Sequence, residues 1–380
     1  MATVLEELLR SAANYQHTLR EIQQQPVTWP GTAATMLAAK EIIEPLVSES
    51  EWLVFTGSGS SEYAGNCVAP AIRRDLKRTS VTHGGGWLLT EQASALPKGR
   101  GLVVSLARSG DSPESSGVLD LLLESAPDVR HLIITCNPEG KLVSKHAANP
   151  RVKAITLDER TNDRSLVMTS SFTNMVVAAR ALGRLNGYTA TVNAVAEGAN
   201  RILSSWMDPL LQVSVGEFQR VLYLGSGCQF GAAKESALKM LEMTAARVVT
   251  MAETYLGLRH GPMSFANDRT LVVCYLSSDP MIAAYEADLI EELNRKRLGW
   301  RKILVGESVP RGLAKEDDLV LEHRVDSDIP VLDVLVGQIL AFGRCLNEGL
   351  SPDSPSEDGV ISRVVNGFVL HRRPEVTTIP

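Results

Sequence analysis

The chain has 380 residues, of which 44% are hydrophobic and 22% charged, a composition typical of globular proteins and long enough for two domains. Its formal net charge of -6 argues against nonspecific binding to nucleic acids or to anionic membranes. The five scattered cysteines form no CxxC pair, which favours reduced thiols in a cytoplasm over disulfides or a zinc site. An acidic N-terminus without a signal-peptide pattern, and the lack of an apolar run of membrane-spanning length, favour the same location.

In the first half, predicted helices alternate with predicted strands. Residues 1–47 are expected to form a helical extension of two helices, broken near Pro26 and Pro30, that packs on the first domain. A short apolar strand then runs into residues 57–59, and further apolar runs predict buried strands that end near residues 106, 136 and 157. Helices are expected between the strands, and this order is typical of a doubly wound parallel sheet over residues 48–200.

The second half repeats this order. Residues 222–227 resemble residues 54–59, because each segment is a short apolar strand that runs into Gly-Ser-Gly and then into an alanine-rich helix. Strands are also predicted over 270–276 and 302–306, with a helix between them. Since the two copies lie about one domain length apart, the sequence predicts a second α/β domain over residues 201–350, followed by a turn-rich tail over 351–380.

One predicted helix of the second half carries charges at helical spacing. Glu235, Lys239 and Glu242 occupy positions i, i+4 and i+7 and therefore share a face. His260 follows on a Gly-Pro turn. A carboxylate, an ammonium and an imidazole are the groups needed to move protons on a sugar carbon. The alternative is an exposed helix stabilised by ion pairs between neighbouring turns.

Residues 56–62 are a hydroxyl-rich segment between a predicted strand and a predicted helix. Ser58, Ser60 and Ser61 accompany glycines that let a backbone approach a ligand, and a helix N-terminus favours an anion. A dinucleotide fingerprint would need a glycine where Glu62 stands. The segment therefore suits a phosphate monoester, and a plain serine-capped turn is the alternative.

A second hydroxyl loop, over residues 105–114, follows another strand of the same half. Ser109 and Ser112 can point to the start of one helix, whose first turn suits Pro113. Ligands of parallel sheets bind outside the carboxyl ends of the strands, where both loops are expected. The two loops predict a phosphate pocket, with two helix caps as the alternative. A third hydroxyl patch, over 163–171, is either a ligand contact or a structural cap.

In these motifs the chain resembles the sugar isomerase (SIS) family of phosphosugar-binding domains, in its double-domain type, over residues 40–370. The loop at 109–112 is similar to the phosphate loop of that family, and Ala-Leu-Lys-x-x-Glu at 237–242 with His-Gly-Pro at 260–262 resembles the isomerase half of glucosamine-6-phosphate synthase. The resemblance implies two flavodoxin-like α/β domains in tandem. We expect no metal and no organic cofactor, because the nitrogen of an amino-sugar substrate itself makes its C2 acidic.

The resemblance also implies roles for single residues. Glu242 would transfer a proton between C2 and C1, Lys239 would lie beside it, and His260 would help to open the sugar ring from the partner subunit of a homodimer. The implied phosphosugar contacts are Ser58, Ser60, Ser61, Arg108, Ser109, Ser112, Thr169 and Ser170. Arg108 stands where the synthase has a glutamine, beside Ala107 in place of a serine, so it is expected to supply charge for the lost hydroxyl.

Further motifs resemble the galactosamine-6-phosphate deaminase/isomerases, also labelled tagatose-6-phosphate ketose/aldose isomerases. They lie at residues 105–115, 163–164, 168–171, 257–262 and 363–367. The implied reaction turns galactosamine 6-phosphate into tagatose 6-phosphate and ammonia, and the lack of a glutaminase segment in the sequence favours ammonia release. The alternatives are the same reaction on glucosamine 6-phosphate, a plain aldose–ketose isomerase, and a noncatalytic phosphosugar sensor. A sensor is disfavoured because no helix-turn-helix with a basic face precedes residue 48.

Overall fold

The structure is a computed structural model that describes residues 3–356, 358–365 and 369–371. Its strands are β1 Trp52–Gly57, β2 Thr79–Gly84, β3 Gly101–Ala107, β4 Val129–Thr135, β5 Val152–Thr156, β6 Arg220–Leu224, β7 Val249–Glu253, β8 Thr270–Tyr275, β9 Arg301–Gly306 and β10 Leu319–Glu322. Its α-helices are α1 Val4–Leu9, α2 Gln16–Gln23, α3 Gln25–Ala38, α4 Lys40–Ser48, α5 Ser60–Leu76, α6 Gly85–Glu91, α7 Pro113–Ser125, α8 Lys141–Ser144, α9 Ser170–Arg180, α10 Tyr188–Arg201, α11 Met207–Ser214, α12 Cys228–Met243, α13 Tyr255–Leu258, α14 Pro280–Lys296 and α15 Val331–Asn347.

The strands form two parallel sheets of five strands each. The first has the order β2-β1-β3-β4-β5 and the second the order β10-β9-β8-β6-β7. In each sheet, the first strand along the chain lies between the second and the third, with the fourth and fifth beyond the third. The two sheets therefore have the same topology. Gly59 and Gly227, which precede α5 and α12, also share one backbone conformation, with φ of 58° and 55°. The predicted α/β fold with two doubly wound parallel sheets is confirmed.

The register of the first sheet brings two predicted loops together. Thr56 of β1 pairs with Ser105 of β3, so the segments that follow these strands leave the same edge side by side. Pro113 opens α7, as its position in the sequence predicted. The carboxyl edge of β1 and β3 is therefore where the two hydroxyl loops meet.

The N-terminal extension differs from the prediction. Its described residues contain four helices instead of two, and α2 ends just before α3 begins with Pro26 in its first turn, so a break does lie near Pro26. Pro30 lies inside α3 and does not break it. Burial of Trp29 and Met36 in the core holds this helix together despite the hydrogen bond that Pro30 cannot donate. The extension also contacts both halves of the chain, since Gln25 Nε2 on α3 donates to Gln338 Oε1 on α15 at 2.7 Å.

Among the described residues, the largest hydrophobic cluster spans both halves, beside three smaller clusters that are each confined to one half. The largest cluster runs from Ile22 to Leu350, and α15 is buried along nearly its whole length between the other helices. The predicted domain join near residue 200 falls within a helical run, where α10 passes through a π-helical turn, Ile202–Trp206, into α11. In the described ranges, every helix is too short or too polar to cross a lipid bilayer.

Candidate active site

The charged face of α12 forms a buried ion cluster. Lys239 Nζ lies 3.4 Å from Glu235 Oε1 and also donates to Glu242 Oε2. It donates a further hydrogen bond, of 3.1 Å, to Ser60 Oγ at the start of α5. The side chain of Lys239 is 1% exposed, whereas that of Glu242 is 24% exposed. The helical spacing of the three charges is therefore real, but the face is interior, and only Glu242 reaches solvent.

Burial and charge change the protonation of this cluster. Burial, helped by nearby Glu242, raises the pKa of Glu235 to about 8 although Lys239 opposes the rise. Burial would lower the pKa of Lys239, but Glu235 and Glu242 outweigh this effect and raise it above the ordinary value. Lys239 is therefore a permanent cation near neutral pH, and it can stabilise negative charge that develops beside Glu242.

A close contact between two helices brings this cluster to the first sheet. A Cβ atom at Gly231 would lie 2.5 Å from the backbone nitrogen of Cys67, so only glycine lets α12 approach α5 so closely. The helices run antiparallel, because Gly231 lies against Cys67 while Lys239 lies against Ser60. The C-terminal end of α12 therefore reaches the N-terminal end of α5, at the carboxyl edge of β1.

A cavity of about 120 Å³ lies beside the ion cluster, at the meeting point of the two hydroxyl loops. Five of the predicted contact residues line it: Ser58, Ser61, Arg108, Ser109 and Ser112. We call it the serine cavity. Ser60 does not line it but joins it to the ion cluster, since Ser61 faces the cavity and Ser60 binds Lys239. The structure thus brings the first and second hydroxyl loops and the Glu242–Lys239 pair to one place.

The hydroxyls of the second loop differ in their partners. Ser109 Oγ accepts a hydrogen bond of 3.2 Å from the backbone N–H of Asp111. Ser112 precedes α7 directly, yet its buried hydroxyl has no hydrogen-bond partner among the described residues. A buried hydroxyl without a partner is costly, and here it borders a cavity at a helix N-terminus, which favours an anion. This geometry suits a phosphate group better than a plain helix cap.

Arg108 is not placed like a residue whose guanidinium is free to bind phosphate. Its guanidinium donates to the backbone carbonyls of Ser165, Leu166 and Arg363, at 3.3, 3.0 and 2.9 Å. Burial lowers its pKa, although nearby Asp163 partly offsets this effect. Arg108 therefore fastens neighbouring segments to the cavity wall, and a charge contact with substrate stays a prediction.

The third hydroxyl patch is not brought to the serine cavity. Thr169 and Ser170 are fully buried at the start of α9 and do not line the cavity, whereas the adjacent Met168 does. The carboxylate of Asp163 accepts hydrogen bonds from the N–H groups of Thr169 and Ser171, both at 2.8 Å, and so draws this loop inward. The geometry supports the structural alternative for this patch, and a contact of Thr169 and Ser170 with substrate stays a prediction.

Comparisons with known proteins identify the family. No established family profile matches the chain. D-galactosamine-6-phosphate deaminase AgaS of Escherichia coli is 32% identical over 376 residues, which cover 95% of this chain and 97% of that protein. A Streptomyces coelicolor protein that provisionally bears the same name is 34% identical over 370 residues, which cover 93% and 95% of the two chains.

The chain belongs to the D-galactosamine-6-phosphate deaminase (AgaS) family. Among solved structures, the tagatose-6-phosphate ketose/aldose isomerase of Escherichia coli superposes with a TM-score of 0.85 at 29% identity, over 94% of this chain and 97% of that one. Membership of the double-domain SIS type, predicted from the motifs, is thereby confirmed.

One predicted catalytic residue of this AgaS-family chain lies far from the others. His260 is exposed in the segment after β7, at the carboxyl edge of the second sheet. Helix α12 starts at that edge and runs away from it, so Glu242 lies on the order of 20 Å from the start of the helix at 1.5 Å per residue. The structure of one chain therefore does not bring His260 to Glu242.

Two features of the site were not predicted from the sequence. Glu235 was noted on the charged face but received no role, and its burial beside Lys239 depends on the contact between α5 and α12.

The second feature is the tail, which borders the serine cavity, where Val364 and Val365 form part of the wall. Arg363 holds the tail there by donating to the carbonyl oxygen of Asp163 at 2.6 Å. The motif at 363–367 was the only signal for this contact, and its residues 366 and 367 lie outside the described ranges. No group of three or more potential metal ligands occurs within those ranges.

Proposed function

We propose that this chain converts D-galactosamine 6-phosphate into D-tagatose 6-phosphate and ammonia. One observation carries the proposal: the Glu242–Lys239 pair adjoins the serine cavity through Ser60. A partly exposed carboxylate beside a buried ammonium suits proton transfer on carbon, and the cavity suits the phosphate. The names of the AgaS relatives and of the superposed isomerase agree with this chemistry.

In the proposed reaction, the open-chain substrate carries an aldehyde at C1 and an amine at C2. Glu242 removes the proton from C2, and the C2–H electron pair forms a C1=C2 double bond while the carbonyl oxygen gains a proton. The resulting enolamine is protonated at C1 by Glu242, which leaves an iminium ion at C2. Loss of one N–H proton then gives the imine and balances the proton that the carbonyl oxygen gained. Water then adds to the imine carbon and ammonia leaves, so that a ketose phosphate remains. Each proton that Glu242 takes is returned, and no oxidant or reductant is needed.

Lys239 has an electrostatic role in this proposal. Negative charge moves toward the C1 oxygen as the proton leaves C2, and a fixed cation nearby lowers the energy of that state. Since Lys239 is held by Glu235, Glu242 and Ser60, it does not have to reorganise during the reaction. Glu235 thus positions the ammonium group and does not itself contact the substrate.

We further propose that His260 acts from the partner subunit of a homodimer. The separation between His260 and Glu242 within one chain supports this, because a ring-opening imidazole must reach the sugar.

The proposal includes two domains, over residues 48–200 and 201–350, that meet at the site. The helical extension 1–47 precedes them and the tail 351–380 follows them. It also includes a cytoplasmic location, which the five buried thiols without disulfides support.

An assay panel tests the substrate and the reaction. Galactosamine 6-phosphate, glucosamine 6-phosphate and their N-acetyl forms would each be incubated with the purified protein and scored for ammonia and for ketose phosphate. The proposal expects both products from galactosamine 6-phosphate, in equal amounts. Preference for the gluco substrate would reassign the stereochemistry, and ketose without ammonia would indicate a plain isomerase. Binding without any product would support a noncatalytic sensor and overturn the proposal.

A further inference from the structure

A groove next to the proposed active site is lined by four arginines, of which Arg363 also lines the serine cavity. It encloses about 590 Å³, a volume typical of small-molecule sites. Arg20 comes from α2, Arg160 and Arg164 from the segment between β5 and α9, and Arg363 from the tail. None of the steps proposed above uses this groove, which we call the arginine groove.

Two of these arginines have donors to spare. The guanidinium of Arg164 is exposed and makes no hydrogen bond or ion pair with any described residue. Within the described part of the chain, that of Arg20 makes only a 3.4 Å contact with His17 Nδ1 and a 3.9 Å contact with Glu21. Arg160 is instead occupied by Asp158, through two hydrogen bonds of 2.9 and 2.7 Å. Arg20 and Arg164 are therefore the residues able to bind a ligand.

Acidic groups in the groove do not cancel this charge. The carboxylate of Glu21 accepts hydrogen bonds from the backbone N–H groups of Arg164 and Ser165, at 2.6 and 3.4 Å, so its acceptors face the protein. Burial, helped by nearby Asp163, raises its pKa to about 7, which leaves it partly neutral. Glu159, which is exposed, is the remaining acidic residue of the lining. The groove is thus locally basic on a chain of net charge -6.

We propose that the arginine groove binds a small phosphate monoester at a second site, separate from the serine cavity. The planar guanidinium presents paired N–H donors that match phosphate oxygens, and Arg20 and Arg164 offer two such groups from two separate segments of the lining. A compact ligand such as a hexose phosphate fits a volume of about 590 Å³. A nucleic acid is disfavoured because the basic residues are confined to one groove of an acidic chain.

Equilibrium dialysis with radiolabelled glucose 6-phosphate tests the proposal on the full-length chain. We expect the unaltered protein to bind two molecules per chain, one with its phosphate group in the serine cavity and one in the arginine groove. The double variant Arg20→Ala/Arg164→Ala should lose the second molecule or bind it at least about tenfold more weakly, because hydrogen bonds to charged groups are lost. Its kcat should be unchanged, since neither residue lies in the active site, and an unchanged kcat also shows that the variant folds.

Two further variants distinguish binding in the serine cavity from binding in the arginine groove. Ser109→Ala/Ser112→Ala should retain the groove molecule, and Arg311→Ala, which alters an exposed arginine elsewhere, should retain both. An excess of inorganic phosphate should displace the groove molecule if the phosphate group alone is recognised, and its failure to do so would show that the proposed recognition is wrong. Only one bound molecule in the unaltered protein, or an unchanged isotherm in the Arg20→Ala/Arg164→Ala variant, would overturn the groove without affecting the proposed reaction.

Discussion

Lys239 is a cation that the fold has removed almost completely from water. A buried ammonium is tolerated only with compensating partners, and here Glu235 lies at 3.4 Å, Glu242 is bonded to it directly and Ser60 accepts at 3.1 Å. Removing one partner of such a cluster typically costs about 3–5 kcal/mol, because a buried charge is left without compensation. The same ion pair holds the partly exposed carboxylate of Glu242 in place. At this scale, stability and the proposed chemistry depend on the same atoms.

Replacement of Glu242 by glutamine should abolish turnover while substrate still binds. An amide keeps the shape of the side chain but cannot accept the C2 proton, and loss of a general base costs about a hundredfold or more in rate. Steady-state ammonia release and substrate binding by calorimetry measure the two effects separately. Glu197→Gln, an exposed carboxylate on α10, is the matched control and should behave as the unaltered protein. Near-normal turnover of Glu242→Gln would show that another group removes the proton.

The double replacement Ser109→Ala/Ser112→Ala should raise KM strongly with a smaller effect on kcat. Each hydrogen bond to a charged group contributes on the order of 1.5–3 kcal/mol, and both hydroxyls line the cavity assigned to the phosphate. Inhibition by inorganic phosphate should weaken in parallel. Kinetics with and without added phosphate would measure both effects. An unchanged KM would place the phosphate elsewhere, for example near the second Gly-Ser-Gly loop around Gly225.

At the scale of elements, the contact between α5 and α12 assembles the site. Helix α5 follows β1 and helix α12 follows β6, so the two helices occupy equivalent positions in the two halves. Their antiparallel contact places the end of α12 against the start of α5, which joins the Glu242–Lys239 pair of the second half to the hydroxyl loops of the first. The short distance between the two helices depends on one residue without a side chain, Gly231.

Replacement of Gly231 by alanine should destabilise the fold and impair catalysis together. The added Cβ would lie 2.5 Å from the backbone nitrogen of Cys67, so α12 must move away from α5, and overpacking of this kind costs about 1–3 kcal/mol. Gly31→Ala in α3 is the control, because nothing lies within 4 Å of its Cβ position. That change should stabilise the protein by about 0.5–1 kcal/mol through helix propensity. Denaturant unfolding measures both, and equal effects of the two changes would refute the close contact.

His131 should make the protein sensitive to acid. It is fully buried in β4, its ring nitrogens have no hydrogen-bond partner among the described residues, and burial lowers its pKa to about 3. Because the unfolded chain binds the proton more tightly, stability is complete above the ordinary pKa of histidine and is lost as the pH falls from there toward 3. Between about pH 7 and about pH 5 this residue should cost on the order of 2 kcal/mol.

Unfolding of His131→Leu at these two pH values tests this expectation. The variant should lose less stability on acidification than the unaltered protein, whatever its stability at neutral pH. His371→Leu, an exposed histidine of the tail, should leave the acid dependence as it is. An identical pH dependence in His131→Leu would assign the acid sensitivity to other groups.

At the scale of the whole molecule, the proposed site is incomplete within one chain. His260 and Glu242 lie toward opposite edges of the second sheet, about the length of α12 apart. A second copy of the chain can supply the imidazole only if its segment after β7 enters the cavity of the first. Activity should then require a dimer.

Mixing two inactive variants tests the shared site. Glu242→Gln chains and His260→Ala chains should each be inactive, but a mixed dimer contains one site with both groups intact. About half of the chains pair with the other variant if subunits exchange at random, so roughly a quarter of the sites should become active, by simple combination of equal amounts of two-fold dimers. Native mass measurements would confirm exchange. An inactive mixture after confirmed exchange would place the complete site within one chain.

Local pattern alone determined much of this molecule. The predicted strands over 101–106 and 270–276 match β3 and β8 within one residue, because central strands of parallel sheets are apolar on both faces and stand out as continuous runs. The shared face of Glu235, Lys239 and Glu242 followed from helical spacing, and the edge that carries both hydroxyl loops followed from strand order. These features need only a few neighbouring residues to be recognised.

The tertiary structure decided the rest. Of the four edge strands in the described ranges, β5 was predicted but β2, β7 and β10 were not, because one side of an edge strand needs no partner and its sequence often carries a weaker apolar signal. Whether the charged face of α12 was exposed or buried depended on the approach of α5, and whether 163–171 was a ligand loop or a cap depended on Asp163. Each of these outcomes depends on residues that are distant in the chain, so spacing within one segment could not determine them.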